Sequence, residues 1–156
     1  MRKNYFKLLI FSLFVVVSCT DDANIEVEKS AVTFDKTPLS TKLINESINE
    51  SVKATGRFYW KDASLQVLWS ASQHGDKLVT IGFGSDINDF DKSKSPKSSE
   101  IEAGLLNLIT NSEKSDIQKV LVYKDEYLNI IDVLISEPET LDLLRKNPNI
   151  RYIEPA

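Results

Sequence analysis

The residue types that most often perform chemistry are scarce in this chain of 156 residues. It has one cysteine, Cys19, and one histidine, His74. A single cysteine excludes an internal disulfide, and a single histidine argues against a metal site made of several histidines. His74 is followed by Gly75, so we expect it at the end of a helix rather than in a catalytic triad. Because no nucleophile and base occur in a recognisable pattern, we predict that the chain is not an enzyme.

Two other segments resemble binding motifs but leave them incomplete. Residues 85–98 are polar and contain four candidate calcium ligands: Asp86, Asn88, Asp89 and Asp91. A calcium loop that starts at Asp86 needs a bidentate glutamate at its twelfth position, which is Lys97. Gly82-Phe83-Gly84 lacks the third glycine of a dinucleotide-binding turn. We therefore predict neither a metal nor a cofactor.

The composition is that of an ordinary soluble protein with an acidic balance. Hydrophobic residues make up 42% of the chain, charged residues 27%, and the formal net charge is −4. Because no basic stripe occurs, we expect no nucleic-acid partner. The length allows one domain with a modest core and is too short for two ordinary domains.

The first nineteen residues have the pattern of a secretion signal. A positive region with Arg2, Lys3 and Lys7 precedes an apolar stretch, residues 8–17, that is too short for a permanent membrane span. The stretch ends in Val16-Val17-Ser18-Cys19, which resembles the lipobox of bacterial lipoproteins. The resemblance implies removal of residues 1–18 as a signal peptide and lipidation of Cys19. A plain signal peptide with a chance cysteine is the alternative.

The residues after Cys19 bear on which membrane would hold the lipid anchor. Thr20 stands where an aspartate would resemble an inner-membrane retention signal, so the resemblance implies a lipid anchor in the outer membrane. Asp21-Asp22 resembles the surface-export signal of some Gram-negative lipoproteins, and a solvated linker is the other interpretation. We predict that residues 19–39 form a flexible tether.

Two helices are predicted next, as a helical N-terminal extension over residues 40–76. Ser40 is expected to cap the first helix, over about 40–54, and Gly56 to end it. Asp62 is expected to cap the second helix, and Gly75 to end it. The sequence does not predict where these helices pack.

The remaining elements are predicted from alternation of apolar residues and from capping patterns. They are a strand at 77–84, a helix from the capping box Ser99/Glu102 to about 111, strands at 117–123 and 127–135 joined by a hairpin at 124–126, a helix from the capping box Ser136/Glu139 to the break at 147–149, and a strand at 150–153. This β-α-β-β-α-β order predicts an α+β fold over residues 77–154. The expected architecture is a ferredoxin-like sandwich with two helices on one face of a four-stranded antiparallel sheet.

Such a sandwich leaves one sheet face without helices. In the strand at 127–135, Tyr127 and Ile131 are predicted on one side, and Leu128 and Ile130 on the other, so both sides are partly apolar. The first two helices could cover the second face. Alternatively a partner covers it, because uncovered apolar surface is often a binding site.

The segment from Glu139 to Pro155 resembles the end of the pro-domain of subtilisin-family serine proteases. In that family a leucine-bearing helix is followed by an Asn/Asp-Pro break and a Val/Ile-x-Tyr-Val/Ile-Glu strand. The matching residues here are Pro148, Ile150, Tyr152, Ile153 and Glu154. The predicted order of elements is also that of those pro-domains, and the segment from Phe58 to Ala71 looks more weakly like the upstream part of some bacterial pro-regions.

The resemblance implies a folding chaperone and inhibitor whose partner is a subtilisin-family serine protease. Such a pro-domain lays its sheet on the protease and runs its C-terminal tail into the substrate cleft. A carboxylate after the tyrosine, here Glu154, can lie near helix N-termini of the protease. The residues implied as contacts are Leu128, Ile130, Tyr152, Ile153, Glu154, Pro155 and Ala156.

The catalytic domain of such a protease is not in this sequence, since the motifs Asp-Thr/Ser-Gly, His-Gly-Thr and Gly-Thr-Ser are missing. Family pro-domains usually run several residues beyond the position of Ala156. We therefore expect either a truncated protease precursor or a free-standing pro-domain-like protein over residues 77–156. The alternative function is a cell-surface lipoprotein that binds another partner through the same sheet face.

Overall fold

The computed structural model describes residues 34–86 and 88–156. They form one compact unit of helices and strands. The elements in chain order are α1 (Thr41–Thr55), α2 (Leu65–His74), β1 (Leu78–Phe83), α3 (Ser98–Glu113), α4 (Ile117–Val120), β2 (Leu121–Lys124), β3 (Ile130–Leu134), α5 (Pro138–Lys146) and β4 (Ile150–Pro155). Two short 3₁₀ turns, Trp60–Asp62 and Lys92–Lys94, lie in the connections.

The four strands form one antiparallel sheet in the order β2-β3-β1-β4. Helix α3 lies in the connection between β1 and β2, and α5 lies between β3 and β4. The prediction of an α+β fold is therefore confirmed. The arrangement approximates the ferredoxin-like pattern, with α4 added before β2 and with α1 and α2 ahead of β1.

Alternation along the strands sends one set of side chains into the core. In β1, Val79, Ile81 and Phe83 are fully buried, as predicted. Their neighbours across the sheet are equally buried: Ile131, Val133 and Ile153. Because successive residues of a strand point to opposite faces, this pattern defines one buried side and leaves the intervening residues on the other side.

Three helices cover the buried side of the sheet. Helices α3 and α5 contribute fully buried leucines and isoleucines: Leu105, Ile109, Leu141 and Leu144. Helix α2 joins them, because Leu68 and Trp69 belong to the same core cluster and α2 contacts α5, β1 and β4. The sequence left α2 unplaced, and the structure puts it in the same layer as α3 and α5. The opposite face of the sheet therefore has no helix over it in the described part of the chain.

Helix α1 packs on α2 around a smaller cluster. Ile44 is buried there with Ala63 and Val67, and Phe58 and Trp60 pack against them. Ser40 caps the helix by accepting a hydrogen bond from the backbone N–H of Leu43, and Gly56 ends it in the left-handed conformation. Both ends of this helix are confirmed, since a serine cap and a left-handed glycine are common helix signals.

The end of the predicted tether is packed on α2. Phe34 makes an edge-on contact with Trp69, with ring centroids 5.4 Å apart. The N–H of Leu39 donates to Ser70 Oγ at 2.9 Å, and the carbonyl of Leu39 lies 2.8 Å from His74 Nε2. His74 is the last residue of α2, as expected. Residues 34–39 are thus part of the folded unit, whereas Cys19 and the predicted signal peptide lie outside the described residues.

Three helix starts differ from the sequence prediction. Helix α2 is capped by Ser64, which accepts from the N–H of Val67 at 3.2 Å, and Asp62 instead belongs to a 3₁₀ turn. The capping box Ser99/Glu102 is wrong, because α3 already begins at Ser98 and Glu102 faces two lysines.

The capping box Ser136/Glu139 is wrong as well, because another carboxylate serves the start of α5. Glu113, at the end of α3, accepts hydrogen bonds from the backbone N–H groups of Ser136 and Glu137. A carboxylate at a helix N-terminus satisfies free donors and is favoured by the helix dipole. Glu113, which lies 24 positions before Glu137, therefore accepts the hydrogen bonds at the start of α5 that the sequence predicted for the capping box Ser136/Glu139.

The middle strands are shorter than predicted. Ile117–Val120 is a short helix, so β2 begins only at Leu121, and β3 begins at Ile130 rather than at Tyr127. Tyr127 is 76% exposed and does not share the buried side with Ile131. In the last strand, simple alternation would put Ile150 on the side of Tyr152, but a register shift beside Phe83 turns Ile150 into the core.

Gly104 lies inside α3 and offers a direct stability test. A Cβ atom added there meets no atom within 4 Å, and its backbone is helical. We expect Gly104→Ala to raise the free energy of unfolding by about 0.5–1 kcal/mol, because alanine restricts the unfolded chain more than glycine. Denaturant titration measures this. The matched control is Gly56→Ala, which should lower the free energy of unfolding because φ is +77° at Gly56. A destabilised Gly104→Ala variant would contradict the prediction.

Candidate functional site

Among the residues that the structure describes, one side of the sheet has no helix packed over it. We call it the open face. It consists of the strand residues that alternate with the core positions: Leu78, Thr80, Gly82, Tyr123, Ile130, Asp132, Leu134, Tyr152 and Glu154. Tyr123 is 50% exposed and Leu134 is 37% exposed, whereas Val133 and Ile135 on either side of Leu134 are fully buried.

A short acidic row crosses the middle of the open face. Thr80 of β1 lies directly between Asp132 of β3 and Glu154 of β4. Thr80 Oγ1 donates a hydrogen bond of 2.7 Å to Asp132 Oδ1. The carboxylate of Glu154 is exposed. The row gives the open face two negative charges between apolar and aromatic side chains, so a complementary surface would present positive charge or free N–H groups there.

Tyr152 lies flat across the neighbouring strand. A Cβ atom at Gly82 would come within 2.0 Å of Tyr152 Cε1, so the ring occupies the space that any other residue at position 82 would fill. The phenol is half-buried, and this burial raises the pKa of Tyr152 above its ordinary value. The Tyr152 ring, packed against Gly82, therefore gives the open face a fixed aromatic surface.

Arg151 closes one end of the open face. Its Nε donates to the carbonyl oxygen of Phe83 at 2.8 Å, and its guanidinium carbon lies 4.0 Å from the centre of the Phe90 ring. The ring of Tyr152 lies on another side, at 5.7 Å. Burial lowers the pKa of Arg151 below its ordinary value, although the nearby Tyr152 and Asp89 act in the opposite direction. The guanidinium thus joins β4 to the loop that carries Phe90.

That loop is held by the carboxylates that the sequence suggested as calcium ligands. Asp89 accepts hydrogen bonds from the backbone N–H of Ser85 at 3.0 Å and from Ser95 Oγ at 2.8 Å. The backbone hydrogen bond from Ser85, with those from the serine hydroxyls, holds the pKa of Asp89 below its usual value. Asp91 caps the turn at Ser93. Over residues 34–86 and 88–156 no group of three or more acidic, cysteine or histidine side chains could hold a metal ion.

The residues implied as contacts by the pro-domain resemblance have different positions. Tyr152, Glu154 and the half-buried Ile130 lie on the open face, and Leu128 is 42% exposed just before β3. Ile153 is 1% exposed, so its side chain serves the core.

The last two residues continue the sheet. Pro155 pairs with Val79, and the N–H of Ala156 donates to the carbonyl of Leu78 at 3.1 Å. The carbonyl of Ala156 fits against Gly75, where a Cβ atom would come within 2.1 Å of its oxygen. Both residues are therefore attached to the folded unit rather than projecting from it.

A groove of about 590 Å³ runs beside β4. Residues 57–62 form one wall and residues 151–154 form the other. In the aromatic cluster Phe58-Tyr59-Trp60, Phe58 and Trp60 are partly buried and pack edge-on at 4.9 Å, whereas Tyr59 is 53% exposed and lines the groove. No local sequence pattern indicates a groove here, because its two walls are about ninety residues apart in the chain.

Comparisons with known proteins add no identification. No family model, curated protein or solved structure matches this chain. Within the part of the chain that the structure describes, no helix has the length and apolar character needed to cross a membrane.

Proposed function

We propose that this protein is a pro-domain-like chaperone or inhibitor of a subtilisin-family serine protease, attached to the outer membrane by lipid on Cys19. The open face carries the proposal. It is a continuous surface of all four strands, and none of the helices α1 to α5 lies over it. An antiparallel sheet with an exposed face normally alternates apolar with polar residues, whereas this face also presents Leu78, Ile130 and Leu134.

The chemistry of the open face agrees with docking onto helices. Apolar side chains and the Tyr152 ring would supply the apolar contact area. Large aromatic residues are common in the energetically important part of interfaces. The acidic row at Asp132 and Glu154 suits free N–H groups at helix N-termini, which attract carboxylates. These features support a protein partner over a small ligand, because the face is a sheet surface rather than a cavity.

The test is inhibition and refolding of a subtilisin-family protease. The purified protein should inhibit hydrolysis of a chromogenic peptide by the protease, and it should raise the yield of activity when acid-denatured protease is returned to neutral pH. Leu134→Glu puts a charge on the open face, and we expect it to weaken inhibition about tenfold or more.

The matched control is Leu43→Glu, which makes the same change at an exposed position of α1. Leu43 is 49% exposed and Leu134 37% exposed, so both variants should fold. Leu43→Glu should inhibit like the unmodified protein. No effect of the unmodified protein on activity or refolding across a panel of subtilisin-family proteases would remove the proposal. Equal inhibition by the two variants would show that the open face is not the contact.

A further inference from the structure

An exposed aromatic side chain lies at the end of the open face, outside the strands. Phe90 belongs to the loop between β1 and α3 and is 50% exposed. The guanidinium of Arg151 lies over the Phe90 ring at 4.0 Å and also faces the Tyr152 ring at 5.7 Å. Because both rings meet the same guanidinium, Phe90 is a neighbour of Tyr152, and the aromatic surface of the open face continues beyond the strands onto this loop.

Hydrogen bonds fix the backbone at Phe90. Its carbonyl accepts from the backbone N–H of Asn129 at 2.9 Å, and the side-chain amide of Asn129 donates to the carbonyl of Asp89 at 2.9 Å. Asn129 is fully buried and also accepts a hydrogen bond from the hydroxyl of Ser98 at the start of α3. A Cβ atom at Gly84 would come within 2.8 Å of the Asp89 carbonyl oxygen, so the loop lies directly against the end of β1. A buried, satisfied polar network of this kind makes a loop rigid.

Arg151 supports the Phe90 ring itself. Its Nε donates to the carbonyl of Phe83 at 2.8 Å, and its Nη2 donates to the carbonyl of Asn129 at 3.4 Å. Its Nη1 is buried and has no acceptor among the described residues. A buried donor without an acceptor costs stability, so hydrogen bonding alone does not explain where the guanidinium lies. The contact with Phe90 accounts for this position, since a cation is attracted to the face of an aromatic ring.

A ring that is fixed in this way is suited to binding. It loses little conformational freedom when a partner covers its exposed half, so less of the contact energy is spent on ordering the side chain. Aromatic residues and arginine are common among the few residues that contribute most of the binding free energy at protein interfaces. The exposed half of Phe90 therefore fits an apolar depression on a protein surface.

We propose that Phe90 is an anchor residue of the contact with the protease, and that Arg151 is the positioning residue that holds its ring. The ring enters an apolar depression on the protease, next to the surface that the open face covers. This inference rests on the proposed function and adds to it a contact outside the sheet. The contact residues implied by the pro-domain resemblance do not include Phe90, which lies in a segment that the sequence marks as polar.

The experiment compares the protein concentrations that give half-maximal inhibition, or half-maximal refolding, of the protease. Phe90→Ala should raise this concentration about tenfold or more, because it removes the exposed ring. The matched control is Leu143→Ala in α5. Leu143 is 48% exposed, and α5 lies in the helix layer on the other side of the sheet, so this variant should act like the unmodified protein. Circular dichroism verifies that both variants are folded.

The Leu134→Glu variant separates this inference from the proposed function. If Leu134→Glu weakens the effect on the protease and Phe90→Ala does not, the Phe90 contact is wrong while the open face remains the docking surface. If the unmodified protein affects no protease of the panel, the proposed function fails and the Phe90 contact fails with it. Equal losses in Phe90→Ala and Leu143→Ala would also overturn the contact.

A double-mutant cycle tests the role of Arg151. Arg151→Lys keeps the positive charge but lacks the planar group that lies over the ring. It should raise the half-maximal concentration about threefold, in line with the strength of an exposed cation–π contact. The same change should have no effect in the Phe90→Ala variant, because a positioning residue acts through the ring. Equal effects of Arg151→Lys with and without the Phe90 ring would refute the positioning role.

Discussion

Leu68→Ala should lower the free energy of unfolding by about 3 kcal/mol, as expected when a buried leucine leaves a cavity. Leu68 is fully buried and belongs to the same core cluster as Ile81 of β1 and Leu144 of α5. This predicts that α2 is a structural part of the domain and not an appended extension. Chemical denaturation followed by circular dichroism measures the change.

The control for Leu68→Ala is Leu43→Ala in α1. Leu43 is 49% exposed, so its truncation should change the free energy of unfolding by only about 0.5 kcal/mol. If Leu68→Ala were as mild as Leu43→Ala, or if α2 melted separately before the sheet, the three-helix layer described above would be wrong. A single cooperative transition in both variants is the expected result.

Glu102→Gln is expected to cost about 2 kcal/mol, because it removes the counter-ion of Lys92, whose side chain is only 17% exposed. Glu102 is 6% exposed and bonds both Lys124 and Lys92, the latter at 3.0 Å. Lys92 Nζ also donates to the carbonyl of Asp125. The cluster joins α3 to the 3₁₀ turn at Lys92–Lys94 and to the edge strand β2. The comparison is Asp142→Asn, which breaks an exposed pair with Lys146 and should cost about 0.5 kcal/mol or less.

The same cluster predicts a dependence of stability on acid. Burial on its own would raise the pKa of Glu102, but the hydrogen bonds from Lys124 and Lys92 outweigh it, so the pKa lies below its ordinary value. A carboxyl whose pKa is lowered by folding contributes stability above its unfolded pKa of about 4.3, and loses it as the pH falls through the folded pKa. The free energy of unfolding should therefore fall below about pH 5. Glu102→Gln should flatten this fall, and an unchanged slope would contradict the role of the cluster.

The sequence was sufficient for the parts of the fold that rest on local periodicity. Val79, Ile81 and Phe83 alternate, and β1 lies where they predict it. Ser40 and Gly56 mark the ends of α1 because a cap and a left-handed stop act within a few residues. The order of strands and helices followed from such local signals, which is why the α+β class could be predicted.

The predictions were wrong where a residue distant in the chain supplies the hydrogen bond or packing contact that determines a helix or strand boundary. The carboxylate that serves the start of α5 comes from Glu113, and Glu102 turns to lysines of other segments rather than to its own helix start. Ile117 to Val120 has the apolar content of a strand but forms one helical turn against α3. In each case tertiary contacts outweighed a pattern read over four to eight residues.

The candidate site, like the fold, could be predicted from the sequence only in part. The alternation in β3 was enough to expect an apolar second face that includes Ile130, whereas Tyr152 and Glu154 were singled out by the pro-domain resemblance. The helix layer that leaves this face open could not be predicted, since nothing local in α2 shows which side of the sheet it covers. The groove beside β4 was likewise hidden, because it depends on Tyr59 and Ile153 meeting across a long stretch of chain.

The two tryptophans of the chain stand in different surroundings, and this gives the protein built-in optical probes. Trp69 is 4% exposed in the helix layer, while Trp60 is half-buried and lines the groove. A Trp60→Phe variant would leave an emission signal that reports only on the integrity of the core. A Trp69→Phe variant would leave one that reports on the wall of the groove beside β4, so the two regions can be followed separately without an attached dye.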